Sequence, residues 1–531
     1  LTQHHILVAT DLTPESINHL QSAENITVTT VAPKTSNVRD ALKTATAIIT
    51  RDDFKLDAPL LEHAPHLKLI ARMSAGLTGI DIEYATQRGI IVMNTPGVSA
   101  VAAAEHTLTL MLALNRNLPK IHDSLREGWW LFDRKQQVGK QLNGKTVGIV
   151  GLGRVGQRVA HLCLAFGMIV KVYDPYIREE QVNDPRIFLV GFKELLHTAD
   201  YVSVHVPATR ETQAVFDAET IAEMKKGAYF INTAHGGVAD ETALADALKD
   251  GHLGGVAIDV WSEEPPFNSP LIGLDHVIHT PHIGDNTVEA MQDLSLQIVE
   301  QVIDAVNDTD YRNVVNMPLL PGVNYDEIRP YMELAENIGA LHHVLARSPI
   351  RRVAIEIIGD DMNGLIKPMT VGVLKGLLTP ILGDQVSYVN APILATERGW
   401  QITQAKGIKI SEYTNVMTCQ ITLDDNEEIS IAGTLLDRKK PYILQINSYR
   451  IHFVPRGYLL VMGSYDQPGV IGKVGTLLAD NGVNIASWHT GRAEPGGNTL
   501  TVLTLDEAIP ESILDMLREQ DFIRHAHQMK I

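Results

Sequence analysis

The segment TVGIVGLGRVGQRVAHLCLAFGMIVKVYDP, residues 146–175, constrains the fold of this chain more than any other. An apolar, β-branched run meets a glycine-rich turn. A helix-forming run follows, and a second apolar run ends at Asp174. Gly151, Gly153 and Gly156 stand as G-x-G-x-x-G, with Asp174 eighteen residues after Gly156. The first glycine permits the tight turn, the second lets a ligand approach the backbone, and the third lets the helix pack on the sheet. The helix start offers N–H groups to a pyrophosphate. Asp174 can accept hydrogen bonds from a ribose 2′-OH, and its charge repels a 2′-phosphate. The spacing predicts a βαβ unit that binds NAD in preference to NADP.

The same alternation extends on both sides. HILVAT, ITVTTVA, ATAIIT and LKLIARM read as strands, separated by helical stretches such as TPESINHL and NVRDALKT. After the turn NTPGVS, AVAAAEHTLTLMLALNRN reads as one long buried helix. A second block has strands in TVGIV, IVKVYD, YVSVHVP, AYFINTA, GGVAIDV and HVIHTPH, and a second long helix follows in TVEAMQDLSLQIVEQVIDAVN. Strand alternating with helix implies parallel sheets. The two long helices suggest that the chain leaves the first block, builds the second and returns. NVVNMPLLPGVNYDEI reads as a linker, and from about Gly457 the order is βαββαβ, a small ferredoxin-like module.

Composition narrows the function classes. With 531 residues the chain has material for several cores. A net charge of −18 argues against binding a nucleic-acid backbone, which needs dense Lys and Arg. Cys163 and Cys419 lack partners at metal or redox spacing, so a reducing cytoplasm and no metal site are expected. No apolar run reaches membrane-spanning length, and no basic-then-apolar leader is evident at the start. A non-standard start codon or processing would each give Leu1 as the first residue.

Two further segments carry chemistry. In AIDVWSEEPP and HTPHIGDNT, Glu264 lies in a loop after one strand and His282 closes another. Oxidising an alcohol needs a base for the hydroxyl proton, and imidazole suits that task at neutral pH. A carboxylate on the other ring nitrogen fixes the tautomer and stabilises the imidazolium. In YFINTAHGGVADE, His235 sits where a strand stops before a glycine turn.

At these residues the chain resembles the D-2-hydroxyacid dehydrogenases, and within them the long-form D-3-phosphoglycerate dehydrogenases. NGKTVGIVGLGRVGQ, YDPY, HVP, DETALADAL, IDVWSEEPP and TPHIG stand in the family's order and spacing. So do RPYMELAENIG, VLKGLLTPILG and VNAPILA. YDQPGVIGKVGTLLADNGVNIASWHTGR resembles an ACT domain, an amino-acid-sensing module. The resemblance implies an α/β architecture: two flavodoxin/Rossmann-like parallel-sheet domains, an α+β intervening domain and a ferredoxin-like ACT domain. The expected limits are 1–100 plus 290–318 for substrate binding, 101–289 for NAD, 319–452 for the intervening regulatory domain and 453–531 for ACT. The expected activity is NAD-dependent oxidation of 3-phosphoglycerate to 3-phosphohydroxypyruvate, in serine biosynthesis, by a cytoplasmic homotetramer. Carried over residue by residue, the pattern makes His282 the acid/base and Glu264 its partner. It brings Arg154, Val155, Asp174, Pro207, Thr212, Thr233 and Asp259 to the cofactor. It assigns Asp466 and Asn484 to a serine effector, with turn chemistry as the alternative reading.

The substrate side departs from that pattern. His235 replaces the arginine that holds the substrate carboxylate. The segment Arg72–Gly76 carries Ser74 where the family has glycine, and Ser99 replaces an asparagine. Asp285 and Asn286 stand in HIGDNT, and GWWLFDRK is two residues longer than usual, which blurs the phosphate-ligand role of Arg134. Three readings follow. His235 does the arginine's job weakly, the pocket takes another 2-hydroxy acid, or the chain is a low-activity paralogue that binds NAD and amino acids. Arg347, Arg351, Arg352 and Lys375 of the intervening region read as solvated surface in preference to an anion site.

Overall fold

Five parallel strands open the chain: β1 (His4–Val8), β2 (Ile26–Thr30), β3 (Ala47–Thr50), β4 (Leu69–Arg72) and β5 (Ile91–Asn94), in the order β2-β1-β3-β4-β5. β3 and β4 are buried at every position, as expected for strands covered on both faces. The computed structural model describes residues 3–32, 37–52, 54–128, 130, 138–317, 325–362, 364–407 and 413–531. Two compact units are present. One comprises Leu1–Asp11, Ile17–Asn94 and Ile298–Ile531, the other Leu12–Ser16 and Thr95–Gln297.

The second unit is built on seven parallel strands: β6 (Thr146–Val150), β7 (Ile169–Tyr173), β8 (Ile187–Leu189), β9 (Tyr201–Val204), β10 (Tyr229–Asn232), β11 (Gly255–Ile258) and β12 (Val277–His279). Their order, β12-β11-β10-β9-β6-β7-β8, reverses direction between β6 and β9. Ligands of such sheets bind outside the carboxyl ends of the strands at that reversal. Helix α1 (Ala100–Arg116) packs Ala104, Leu108, Met111 and Leu114 into the core that Ile149, Ile231 and Ala257 share. Its sequence predicts a buried helix. In the fold it is buried on one side only, because Val101, Glu105, Thr109 and Arg116 form an exposed stripe at helical spacing. Helix α2 (Arg154–Ala165) follows the glycine turn, and α3 (Glu241–Lys249) follows β10.

The intervening region forms a mixed sheet: β13 (Ile350–Ile358), β14 (Gln401–Lys406), β15 (Val416–Leu423), β16 (Glu428–Leu436), β17 (Lys440–Ile446) and β18 (Tyr449–Phe453). Only β13 and β14 pair in parallel. Two long helices, α4 (Tyr325–Leu345) and α5 (Ile366–Leu382), pack on each other through glycines. A methyl at Gly376 would lie 2.0 Å from Glu336 O, and one at Gly339 would lie 2.2 Å from Val373 O. Lys375 is not solvated surface. It pairs with Glu336 at 2.7 Å and lies over the Tyr388 ring.

The last module pairs β19 (Tyr458–Tyr465), β20 (Ile485–Arg492), β21 (Asn498–Leu505) and β22 (Ile523–Lys530) in the order β20-β21-β19-β22, all antiparallel. Alternation on β19 divides its side chains. Leu460 and Met462 pack under the helices Val470–Asp480 and Glu511–Arg518, with Val474, Leu478, Leu514 and Leu517. Leu459 and Val461 face the other way, with Leu500 and Val502. They complete the apolar core of the intervening sheet, beside Ile451 and Phe453.

Both cysteines are buried, and burial pushes the Cys163 thiol up to about 12. Among the described residues no helix is long and apolar enough to cross a membrane, and no cluster of His, Cys, Asp or Glu could hold a metal ion.

Gly376→Ala improves local helix propensity by about 1 kcal/mol, yet the added methyl meets backbone. We expect a net loss of about 1–3 kcal/mol, read as a lower melting temperature. An unchanged or raised melting temperature would contradict the glycine contact. His342, fully buried on α4, has Nε2 3.1 Å from Cys419 O, and burial drives its pKa down to about 4. The folded value lies below the unfolded one near 6.5. Its contribution is therefore intact above pH 6.5 and fades as pH falls toward 4, by up to roughly 3 kcal/mol. Amide exchange of α4 should speed up between pH 6.5 and 4.5 beyond the intrinsic trend, and His342→Phe should flatten that slope.

Candidate active site

The turn after β6 is a cradle with one opening. Gly151 has φ 95°, and a side chain there would meet His205 O at 2.7 Å. A Cβ at Gly156 would lie 2.1 Å from Gly151 O. The fold itself therefore demands both glycines. Gly153 differs, because a Cβ there would meet nothing within 4 Å. Its lack of a side chain serves whatever approaches the start of α2, where Gly153 is the N-cap and makes no side-chain cap. Asp174, at the end of β7, accepts from the N–H of Leu152 and of Tyr176, both at 2.9 Å. Those bonds aim a carboxylate at the glycine turn. Arg154 lays its side chain against Gly97, and Val155 is half-buried behind it. Farther along the sheet, Thr212 Oγ1 donates to Pro207 O at 2.5 Å, which closes the 207–212 loop. These groups fit a dinucleotide in donor set and in open space.

The carboxyl ends of β11 and β12 hold the titratable cluster. His282 Nδ1 lies 3.0 Å from both carboxylate oxygens of Glu264, and Trp261 N–H donates to the same carboxylate at 3.2 Å. Burial pushes the Glu264 carboxyl up. The hydrogen bond and charge of His282 outweigh it and leave the carboxyl below its usual range. His282 has φ 55°, a conformation that costs a non-glycine residue of order 1 kcal/mol. Asp259 holds it there. Asp259 O accepts His282 N–H at 2.9 Å, Oδ1 accepts Ile283 N–H at 3.0 Å, and Oδ2 accepts Gly284 N–H at 2.8 Å. Thr280 Oγ1 donates to Asp259 Oδ1 at 2.5 Å, and His106 Nε2 lies 3.4 Å from that oxygen. Burial raises the Asp259 carboxyl, but these donors win and hold it at about 2.

His235 follows β10 in extended conformation and is half-buried. Asn232 fixes the loop: its Nδ2 donates to His235 O at 2.9 Å and its Oδ1 accepts Ala234 N–H at 3.0 Å. The next residue must be glycine, since a Cβ at Gly236 would lie 1.9 Å from Trp261 backbone. Glu241 tethers the Glu264 loop by accepting Ser262 N–H at 2.7 Å and Ser269 Oγ–H at 2.5 Å. Thr233, predicted for the cofactor, shares a 2.7 Å hydrogen bond with Thr107 of α1. His106, Thr107, Thr280 and Glu241 are absent from the sequence reading. The one available signal was a threonine on the apolar face of α1 with a histidine beside it.

Within the first unit, Arg72 is fully buried. Its guanidinium donates to the carbonyls of Arg51, Phe54 and Thr78, so it braces the 73–79 turn from inside. Ser74 Oγ donates to Asp52 Oδ1 at 2.7 Å and to Gly76 O at 3.1 Å. In the second unit Ser99 precedes α1 without capping it, and Asp285 is half-buried after the His282 turn. Arg134 lies outside the described residues. In the last module Asp466 accepts Gly496 N–H at 2.9 Å, and Asn484 Nδ2 donates to Asp506 at 2.6 Å.

Known proteins resemble this chain along most of its length. Residues 108–284 match the NAD-binding domain of D-isomer specific 2-hydroxyacid dehydrogenases. Residues 327–447 match the D-3-phosphoglycerate dehydrogenase intervening domain, and 458–521 match the ACT domain. D-3-phosphoglycerate dehydrogenase of Methanocaldococcus jannaschii is 39% identical over 97% of both chains. That of Archaeoglobus fulgidus is 36% identical over 99% of this chain and 100% of its own, and that of Bacillus subtilis is 34% identical over 96% and 97%. Among solved structures, Aquifex aeolicus D-lactate dehydrogenase, complexed with NAD and lactic acid, superposes with TM-score 0.52. It has 31% identity and covers 58% of this chain and 96% of its own. NAD-dependent formate dehydrogenase of Staphylococcus aureus gives 0.54 at 26% identity, covering 59% and 99%. With a dehydrogenase core, an intervening domain and an ACT domain matched in order, and relatives aligned end to end, the chain belongs to the D-3-phosphoglycerate dehydrogenase family.

Proposed function

We propose that the chain oxidises 3-phosphoglycerate to 3-phosphohydroxypyruvate with NAD, the first step of phosphorylated L-serine biosynthesis. The observation that carries this reading is the His282–Glu264 pair, with both carboxylate oxygens 3.0 Å from Nδ1, at the carboxyl ends of an NAD-type sheet. Bound at the glycine turn, NAD supplies the hydride acceptor. Asp174 selects the ribose 2′-OH, and the N–H groups at the start of α2 receive the pyrophosphate. Glu264 takes the Nδ1 proton as a hydrogen bond, which leaves Nε2 as the basic nitrogen. Nε2 removes the substrate hydroxyl proton, and Glu264 stabilises the imidazolium that forms. Asp259 keeps His282 in the required conformation and, by family resemblance, meets the nicotinamide amide. His235 stands in for arginine toward the substrate carboxylate. Arg72 acts on the substrate through the turn it braces, with Ser74, Gly76, Ser99 and Arg134 as the remaining substrate-side positions.

The same reading extends to the assembly. We take the domain limits as 1–100 with 290–318, 101–289, 319–452 and 453–531, the enzyme as a cytoplasmic homotetramer, and L-serine as an effector near Asp466 and Asn484.

A second reading, a dehydrogenase for another D-2-hydroxy acid, is favoured by one observation. Ser74, where the family has glycine, is hydrogen-bonded to Asp52. A carboxylate directly after β3 adds negative charge on the substrate side, which opposes a phosphate dianion.

NADH formation from a panel of 2-hydroxy acids decides between the readings. Under the first, 3-phosphoglycerate gives the highest kcat/KM; under the second, a non-phosphorylated acid does. His282→Ala should lower kcat by about 10²–10⁴-fold on whichever acid is used, and full turnover in that variant would remove the base from the mechanism. An arginine–carboxylate contact is worth about 1.5–3 kcal/mol. His235→Arg should therefore raise kcat/KM for 3-phosphoglycerate by roughly tenfold to 150-fold. No gain, with the melting temperature unchanged, would move the assignment to the second reading.

A further inference from the structure

We propose that His106 and Thr107 of α1 are positioning residues that set the spacing between the His282 turn and the His235 loop. The inference rests on the reading of His282 as the base. His106 Nε2 lies 3.1 Å from Thr280 Oγ1 and 3.4 Å from Asp259 Oδ1. Thr280 commits its hydroxyl proton to Asp259 at 2.5 Å. It can then only accept from His106, so the Nε2–H tautomer of His106 completes the set. Asp259 in turn receives Ile283 N–H and Gly284 N–H, and its carbonyl receives His282 N–H. Gly284 permits this approach, because a Cβ there would lie 2.9 Å from Asp259 Oδ2. The path from helix to base is thus His106, then Thr280 and Asp259, then the turn that holds His282 at positive φ.

The next residue reaches the other loop. Thr107 is fully buried and shares a hydrogen bond with Thr233, one residue beyond β10. From there Asn232 holds the backbone on both sides, through Ala234 N–H and His235 O. Two consecutive residues of one helix therefore reach two different strand ends. α1 runs unbroken over 17 residues, so it adds a second tie between the two loops, beside the 3.0 Å bond from Asp259 N–H to Asn232 O that joins their strand ends. A misplacement of about 1 Å at a reacting group costs on the order of 10²-fold in rate, so a device that fixes this register has chemical value.

Steady-state kinetics of the full-length chain with NAD and its best 2-hydroxy acid test this. His106→Leu removes the donor, and His106→Gln keeps an N–H at similar reach. The leucine variant should lose about tenfold or more in kcat, a larger factor than any change in KM for NAD, since the glycine cradle is untouched. The glutamine variant should recover to within about threefold of the parent. A leucine variant as fast as the parent, or a glutamine variant as slow as leucine, overturns the positioning role. Thr107→Val should slow turnover by about tenfold, and parental rates would exclude Thr107 from the device. If His282→Ala keeps its turnover in the same assay, the reading of the base has failed, which these variants would not by themselves reveal.

Discussion

One buried carboxylate organises the chemistry of this chain. Asp259 follows β11 with 1% exposure and receives two backbone N–H groups, a threonine hydroxyl and a histidine. An isolated charge at that depth would be costly. Surrounded by fixed donors it becomes a tether instead, and what it tethers is the turn carrying His282. The strain of a histidine at positive φ is sustained by those bonds. Glu264 then meets an imidazole already in place, and its own loop is held by Glu241 and Trp261.

The dehydrogenase half was legible where local rules and global packing agree. Strand runs such as YVSVHVP and AYFINTA start within a residue of the observed β9 and β10 and end two or three residues beyond them. The G-x-G-x-x-G spacing located the cradle because two of its glycines answer to backbone contacts and the third to open space. The intervening region was recognised by its resemblance, but its long helices were not read from pattern, for a physical reason. Pro330 and Gly339 within α4, and Gly372, Gly376 and Pro380 within α5, read as helix breakers. Pro330 falls in the first two turns and Pro380 in the last, where missing or displaced bonds cost least. The glycines are the surfaces on which the two helices touch. His106 and Thr107 escaped notice because a hydrogen bond from a helix to a strand end 126 or 174 residues away leaves no periodic trace.

Set against the family pattern that the sequence resembles, the two sides of the proposed site differ. Gly151, Gly153, Gly156, Asp174, Glu264 and His282 match that pattern, while His235, Ser74 and Ser99 depart from it. Ser74 is not an idle change, since its hydroxyl is hydrogen-bonded to Asp52 and to the carbonyl of Gly76 in the same turn. Under the proposed function, hydride acceptance requires the first group whatever acid is bound. The second group would set only which acid that is, so it can vary while the reaction type persists.

The face of the last sheet that carries no helices has a mechanical meaning. Leu459, Val461, Leu500 and Val502 are each nearly or fully buried against the neighbouring sheet. Burying four such side chains is worth about 6–12 kcal/mol, comparable to the entire stability of a typical domain. The C-terminal module is therefore welded to its neighbour and does not hang from it as a pendant sensor. Any torque arising at the Asp466 and Asn484 loops would be delivered to the adjoining sheet as motion of a single lever, and trimming the module away would lay bare a greasy scar.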